Sequence, residues 1–527
     1  MARAKTWAEF KDKPDSEKRV IVLLQARERA VPANVVDFVF SNIEREEPIG
    51  FTGIIHKGVS SVPALRYNTN EIGGNPPAPS WSDIILTRED GYDISPDGSG
   101  IYFDDLGKDY ILENQPAFVW FGGDDVPWLE YRKTFSGTMG SPAKDDMTLT
   151  VPCFGNENRA YRDTIAKTTI TAAAFPFAPT GNLGKTIPFC IGFISHMEPI
   201  CVDSRAVAPN NMRFAFHDNT VPYSILQVKD AGVTLTGAQY TNNGDGTFTL
   251  ALGYIPNGAI TCVVLGAWGF SPWATDITNL ITTFSAGAID AAAVAAANIA
   301  LPWEVNYLVQ SEMSVMDVIR QLSVGVPAYY SFQRDGVFRM EEITDPALKT
   351  PDHIINSEMS NISPVAILDN SLSIKPTGQV IDTASISYYE NFAVLSRQDL
   401  SASLSETQKS ILYTTWRQDT YTDPTVSVLY DNPAKKSTLV RVTSIVDSQD
   451  AAVRWVNLLK ISRSITTIKI KCQDLIYNIG DIVSVTFKTE LKDGTPWYRH
   501  GLNDTRMMII GINENYDRFE TVLTLWG

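Results

Sequence analysis

Short apolar runs broken by glycine, proline and asparagine turns fill the chain from 184 to 270, and this alternation limits what it can become. Runs of about 4–8 residues are too short for core helices and suit strands, so this stretch must fold as small sheets. NNGDGTFTL (242–250) and YIPNGAITCVVLG (254–266) are examples. Asn257-Gly258 between apolar residues signals a tight hairpin. TNNGDGT is read as a hairpin turn, because a calcium loop would need a ligand at Thr241 and a glutamate at Leu252.

Other strands are expected at RVIVLL (19–24), VDFVF (36–40), Ile84-Ile85-Leu86, Ile101-Tyr102-Phe103, 117–121 and MTLTVPCF (147–154). Residues 51–80 have loop composition. VMDVIRQL carries a helical stripe of Val315, Val318, Ile319 and Leu322, with Ser314 as cap and Gly325 as stop. YYSFQRDGVFRMEE is a hairpin turning at Asp335-Gly336, 376–400 is strand-like, 404–417 is ambiguous, and DSQDAAVRWVNLLKISR (447–463) is an amphipathic helix. The end is β again, in TTIKIKC, DIVSVTF, MMIIGI and ETVLTLW. The alanine-rich 286–303 is broken by Asp290 and Asn298 and suits a helix outside a membrane. The class is mainly β with a few helices (α+β), in several small β-barrel or β-sandwich domains. The expected division is 1–19 as an arm, 20–155 as a β domain with an acidic block, 156–270 as a β-rich domain, 271–375 as a mixed domain and 376–527 as an α+β domain.

The 527 residues carry a formal charge of −16, which argues against a nucleic-acid-binding surface, since that needs basic patches to displace counterions. Residues 81–130 hold twelve carboxylates against Arg88 and Lys108, a net −10. Five widely spaced cysteines with no CxxC pair indicate reduced, buried thiols and synthesis in a cytoplasm. The first 19 residues lack an apolar leader, so no signal peptide is expected.

The motifs that suggest chemistry fail on spacing. Gly184-Lys185-Thr186 would be a phosphate loop only with a glycine at position 179, which is proline, and β-forming TIPFCIGFI follows where a helix is needed. Cys190, His196 and Cys201 lack the close pairs and fourth ligand of structural zinc. The pairs Asp104-Asp105, Asp124-Asp125 and Asp145-Asp146 could serve a glycosidase, but each sits at a turn signal where aspartate is favoured anyway. No GxSxG occurs, and tryptophans such as Trp120, Trp455 and Trp526 lie in apolar contexts that indicate core packing. No catalytic residue, metal or cofactor is expected.

The order of pieces from 184 to 261 resembles the tail-tip (baseplate) hub proteins of long-tailed bacteriophages. There a G-x-x-I/R-P strand runs into a glycine turn and a second strand carries P-x-x-V-D, matched here by Gly184, Pro188, Gly192, Pro199, Val202 and Asp203. RFAFHD ends at Asp218, and a D-x-G-V element spans Asp230 to Val233 around Gly232. Then come G-x-F-T-L at Gly246 and Phe248, and P-x-G-x-I-T with Gly258. VIVLLQA, the stretch from VMDVIRQL to VFRM, and YNIGDIVSVTF with Gly480 and Asp481 also resemble such proteins. Phe193 after the turn glycine and the alanine-rich segment depart from the pattern.

The resemblance implies a structural, non-enzymatic virion protein at the distal end of the tail. It implies a ring, commonly a homotrimer, that closes the tail tube below the distal tail protein. Such a ring anchors fibres or receptor-binding proteins, holds the end of the tape-measure protein and opens for DNA without binding it specifically. A cysteine-bound iron–sulfur cluster, carried by some relatives, is not expected here because the cysteines are widely spaced. Asp104, Asp105, Asp124 and Asp125 are expected to face the lumen or a cation-rich partner. The rival functions are a tail-tip glycan or peptidoglycan hydrolase and a receptor-binding adhesin.

Overall fold

The computed structural model describes residues 18–43, 48, 51–52, 54–68, 80–88, 94, 101, 103–106, 108–123, 126–205, 211–357, 366–368, 371–378, 380–471, 477–490, 496–498, 501–515 and 520–527. The chain is β-rich, with many small sheets and a minority of helices.

The first unit forms around Lys18–Glu28, which pairs antiparallel with Val35–Ser41 on one side and Pro116–Gly123 on the other. Arg132–Met139 and Cys153–Gly155 extend this sheet. A second sheet holds Val59–Ser61, Ile84–Thr87, Thr148–Val151 and Ala143–Lys144. Val22, Leu24, Phe38, Ile84, Leu86 and Val151 share the core between them. Most of the expected arm lies outside the described residues, but Lys18 and Arg19 belong to the first strand, opposite Gly123 and Gly122. Arg19 is buried and its Nε donates to Ser41 Oγ at 3.3 Å.

Two local expectations are corrected. Phe103–Asp105 is a 3-10 turn rather than strand, because Phe103 and Leu106, three residues apart, both enter the core; Tyr102 lies outside the described residues. The region read as loop contains short strands, among them Leu65–Asn68. Its partner is distant: it pairs with Thr505–Asn515, placing Leu65 and Tyr67 in the C-terminal core and Arg66 outside.

The middle of the chain is a sandwich of two four-stranded sheets. One contains Phe193–Met197, Ile260–Leu265, Ser224–Asp230 and Val233–Thr234; the other contains Ile200–Asp203, Arg213–Ala215, Thr247–Leu250 and Tyr240–Asn242. Cys190, Met197, Phe216, Val228, Phe248, Cys262 and Val264 fill the space between them. The TNNGDGT hairpin forms as expected, with Tyr240–Asn242 pairing with Thr247–Leu250. Asn257-Gly258 is not a hairpin turn: the strands on either side of it belong to opposite sheets.

Helices cover a large core that also takes in the Ala328–Phe332 and Val337–Glu342 hairpin. Val315–Leu322 begins at Ser314, whose Oγ accepts from Asp317 N at 3.1 Å. Asp290 caps Ala291–Ala300 by accepting from the amides of Ala292 and Ala293. Ile445–Leu459 buries Ala451, Ala452, Trp455 and Val456, and the ambiguous stretch forms the helix Glu406–Tyr413. Among the described residues no helix is long and apolar enough to cross a membrane.

The C-terminal strands pair in a ring. Ser464–Lys471 pairs with Glu520–Trp526, and that with Thr505–Asn515. Ile482–Thr486, His353–Asn356 and Ala366–Ile367 lead back to Ser464–Lys471, the link from Asn356 to Ala366 being a single residue pair. Ile355, Ile468, Val483, Ile509 and Leu523 pack in its core.

Candidate functional site

The motif positions from 184 to 258 gather in and beside the middle sandwich, where most serve its turns. Pro188 is buried ahead of Phe189–Ile191, Gly192 makes the bend into Phe193–Met197, and buried Pro199 opens Ile200–Asp203. Gly184 donates its amide to Ile170 O at 2.8 Å. Asp203 accepts from Arg205 Nε at 2.9 Å, and this hydrogen bond holds its carboxyl below the usual range. Asp218 accepts from Thr220 N and Oγ1 at 3.0 and 2.7 Å, closing the turn after RFAFHD. Gly246 has φ +82, and a Cβ there would lie 1.8 Å from His217 O, so only glycine fits. Phe248 is buried and stacks on Phe214 with ring centroids 5.3 Å apart.

The densest junction forms around Asp230. Ala231-Gly232 is a two-residue turn between Ser224–Asp230 and Val233–Thr234, with φ of +49 and +84. Positive φ at both central residues is the type I′ signature that twisted hairpins favour. The hairpin geometry expected at Asn257-Gly258 is therefore found here. Asn257-Gly258 instead offers its backbone to Asp230: the carboxylate accepts from Asn257 N at 2.8 Å, Gly258 N at 2.8 Å and Tyr254 Oη at 2.9 Å. Burial, then the Asp230 carboxylate, push the Tyr254 phenol up to about 12, so it stays a donor. Leu400, Leu404 and Leu412 close over Gly232. D-x-G-V and P-x-G-x-I-T, separate pieces in the sequence, are one hydrogen-bonded unit.

A second junction surrounds YNIGD. Gly480 has φ +90, and a Cβ there would lie 1.9 Å from the Tyr329 ring. Asp481 accepts from Asn478 N at 2.8 Å, and His353 Nε2 lies 3.1 Å from its Oδ2. Beside it Arg334 and Glu514 form a buried ion pair, 5% and 1% exposed at their side chains. Arg334 Nη1 donates to Glu514 Oε2 at 3.2 Å and Nε to Tyr477 O at 2.8 Å, while Leu65 N donates to Glu514 Oε2 at 3.0 Å. One carboxylate thus ties the 328–342 hairpin and the Leu65–Asn68 strand to the C-terminal ring. Sequence reasoning missed this pair: an arginine and a glutamate 180 positions apart carry no local signal.

The residues singled out for chemistry do not converge. Cys190 is buried, with its thiol 3.4 Å from Phe216 O, and burial raises its pKa. Cys201 Sγ lies against Asp203 O, and His196 Nε2 sits 3.1 Å from Lys229 Nζ. Burial and that ammonium push the imidazole down to about 4. Among the described residues no group of three or more His, Cys, Asp or Glu could hold a metal ion. Lys185 reaches Asn182 Oδ1 at 2.7 Å and the chain continues as strand, not helix. Asp145 accepts from Met147 N and Thr148 N, the turn role expected of it. Of the other acids, Asp105 lies half-buried in the 3-10 turn that also contains Asp104; Asp124, Asp125 and the side chain of Asp104 lie outside the described residues. Trp273, Trp303, Trp455 and Trp526 are core residues.

No family model matches the sequence, and no curated protein is significantly similar to it. Among solved structures the chain is similar to a tail protein from Neisseria meningitidis MC58, at 10% identity over 88% of this chain and 96% of that one, with a TM-score of 0.38. It is also similar to a prophage tail protein from Listeria monocytogenes EGD-e, at 9% identity over 96% and 94%, with a TM-score of 0.34. A chain in the virion of a gene transfer agent particle matches 48% of this chain and 80% of its own length at 15% identity, with a TM-score of 0.19. At these scores no residue of those chains is mapped onto this one.

Proposed function

We propose that this chain is a structural component of a bacteriophage tail tip, the baseplate hub that closes the tail tube, anchors fibres and opens for DNA. The observation that carries the reading is the ordered motif series of the middle sandwich. Its pieces resemble the hub family in sequence, and in the fold Asp230 hydrogen-bonds two of them to each other. A series that serves turn and backbone geometry suits a scaffold that must hold its shape rather than a site that must react. In this reading the chain forms a ring, a homotrimer by analogy, at the distal end of the tail. It sits between the distal tail protein and the receptor-binding fibres, holds the end of the tape-measure protein and places its acidic block toward the lumen or a partner.

The test is location. Gold-labelled antibody against the chain, imaged on tailed particles from the source, is expected at the distal tip of the tail tube. Label along fibres would favour an adhesin. Absence of label from every particle would overturn the hub and turn attention to the hydrolase, whose signature is cell-wall cleavage by the purified chain.

A further inference from the structure

A small pocket of about 160 Å³ lies where the middle sandwich meets the segment from 389 to 417, and the hub reading does not use it. Strand register sets its floor. Met197 pairs with Cys262 and Cys262 with Val228, and all three face the sandwich core. Lys229 and its partner Thr261 therefore lie on the opposite face. His196 reaches that face too, with Nε2 3.1 Å from Lys229 Nζ. The segment from 389 to 417 covers the face and is pinned to it. Phe392 N donates to His196 O at 3.1 Å, and Ser195 Oγ donates to Glu390 O at 3.2 Å. Tyr389 stands at φ +54, where residues with a Cβ are rarely found, and its amide donates to Val442 O at 3.0 Å. Its ring lies against Arg417, whose guanidinium carbon is 4.1 Å from the ring centroid.

The polar groups that build the walls are spent on one another. Asn391 Nδ2 donates to Leu412 O at 2.9 Å and its Oδ1 accepts from Ala393 N at 3.1 Å, while Thr414 Oγ1 donates to Ser410 O at 2.7 Å. Carboxylates of the flanking chain are committed as well: Glu390 to Arg441, Glu406 to Arg397 and Lys409, and Asp419 Oδ1 to Thr420 N. The cations are not. Arg417 and Lys229 are half-buried, and among the described residues neither has a carboxylate within ion-pair distance. His196, neutral at physiological pH, accepts one Lys229 N–H and leaves the charge in place. Stacking on Tyr389 fixes the plane of the Arg417 guanidinium and leaves its in-plane N–H fork to grip two oxygens at once. We infer that this pocket binds the carboxylate or phosphate group of a small molecule, with Arg417 as the docking residue and Lys229 as a second positive charge behind His196. The inference goes beyond the hub reading and holds wherever in a particle the chain sits.

The test is calorimetric titration of the full chain with glucuronate, glucose 6-phosphate and glucose, which share a sugar and differ in the charged group. Saturable binding of at least one of the two acids is expected, with Kd at or below about 1 mM, and none of glucose. The acid that binds more tightly names the oxyanion. Arg417→Gln should lose about tenfold or more in affinity, because it removes a charge-assisted pair of hydrogen bonds. Arg417→Lys keeps the charge without the planar fork and should recover only part of that loss. Lys229→Met should weaken binding by about threefold, as a charge set back from the ligand. Thermal unfolding of each variant checks that the fold is retained, and Lys229→Met carries the test if Arg417→Gln does not fold. Failure of both acids to bind at about 10 mM, or equal binding of glucose, would overturn the site. So would binding of the acids that is unchanged in folded Arg417→Gln or, in its place, folded Lys229→Met. Particle labelling is a separate readout, so the pocket and the hub reading can fail independently.

Discussion

The middle sandwich and the C-terminal ring are both made of short strands around an apolar core, yet they are fastened in opposite ways. In the sandwich a carboxylate binds backbone amides 27 and 28 positions away. In the ring a carboxylate binds a guanidinium 180 positions away and the amide of Leu65, 449 positions away. The first fastening is written in turn chemistry and leaves a trace in sequence. The second is written in burial and charge, and leaves none. The difference shows where each unit is vulnerable. The sandwich depends on a loop staying in place, the ring on a buried charge staying paired.

Breaking the ring's fastening should cost most. Glu514→Ala leaves Arg334 buried without its counter-ion and Leu65 N without its acceptor. A loss of about 3–5 kcal/mol is expected in denaturant unfolding. Proteolysis near the Leu65–Asn68 strand should speed up, because that strand loses its anchor. Wild-type stability in this variant would mean that water replaces the carboxylate, and the contrast between the two units would fall.

Asp230→Ala should cost less, about 2–3 kcal/mol, since the freed amides of Asn257 and Gly258 lie near the surface and water can reach them in part. Asp230→Asn keeps an acceptor and should recover about half of that. Hydrogen exchange at Asn257 and Gly258 should rise in the alanine variant while the ring's amides stay protected. If protection fell equally in both regions, the two units would be one cooperative body and the comparison would lose its meaning.

Asp276 sharpens the comparison from the other side, as a buried carboxyl that accepts from neither an amide nor a guanidinium among the described residues. It is fully buried in the helix Trp273–Leu280, and among the described residues neither oxygen has a hydrogen-bond partner. Burial pushes its pKa from 3.8 up to about 9. The folded state therefore holds a proton that the unfolded chain releases. Stability is unaffected by this group below about pH 4, falls as pH rises from there, and levels off above about pH 9. Asp276→Asn removes the titration. The variant should match the parent below about pH 4 and exceed it by a margin that grows with pH, reaching several kcal/mol near pH 8, in thermal or denaturant unfolding. A constant difference across that range would show that the carboxyl stays charged or is solvated.

Much of the secondary structure was legible because it depends on neighbours in sequence. The Ser314 cap and its stripe, the alanine-rich helix and the Asp335-Gly336 hairpin follow from spacing alone. Errors occurred where a distant partner decided the outcome. Leu65–Asn68 alternates over only four residues and becomes a strand because Gly511, Ile512 and Asn513 offer it an edge. Asn257-Gly258 has hairpin chemistry, but its flanking strands are claimed by opposite sheets, so the same backbone donors turn to Asp230. The candidate site was legible as a list of motif residues and illegible as a network, since no local rule says that one motif's aspartate caps another motif's loop.

The smallest expected effect tests whether Asp230 holds its hairpin against strain. Ala231 sits at φ +49, where an L-residue with a Cβ pays about 1 kcal/mol relative to glycine. Its Cβ lies within 3.0 Å of where a Cβ on Gly258 would be, so the alanine packs against the loop that Asp230 grips. Ala231→Gly relieves the strain but loses that packing and adds freedom to the unfolded chain. Alone it should stabilise by no more than about 0.5 kcal/mol. Combined with Asp230→Ala, the grip is already gone and the packing is worth less, so the same change should gain about 1 kcal/mol. Unequal effects in the two backgrounds, measured as a double-mutant cycle, would show that the carboxylate and the strained turn work as one unit. Equal effects would separate them, and the sandwich's fastening would then reduce to the hydrogen bonds of Asp230 alone.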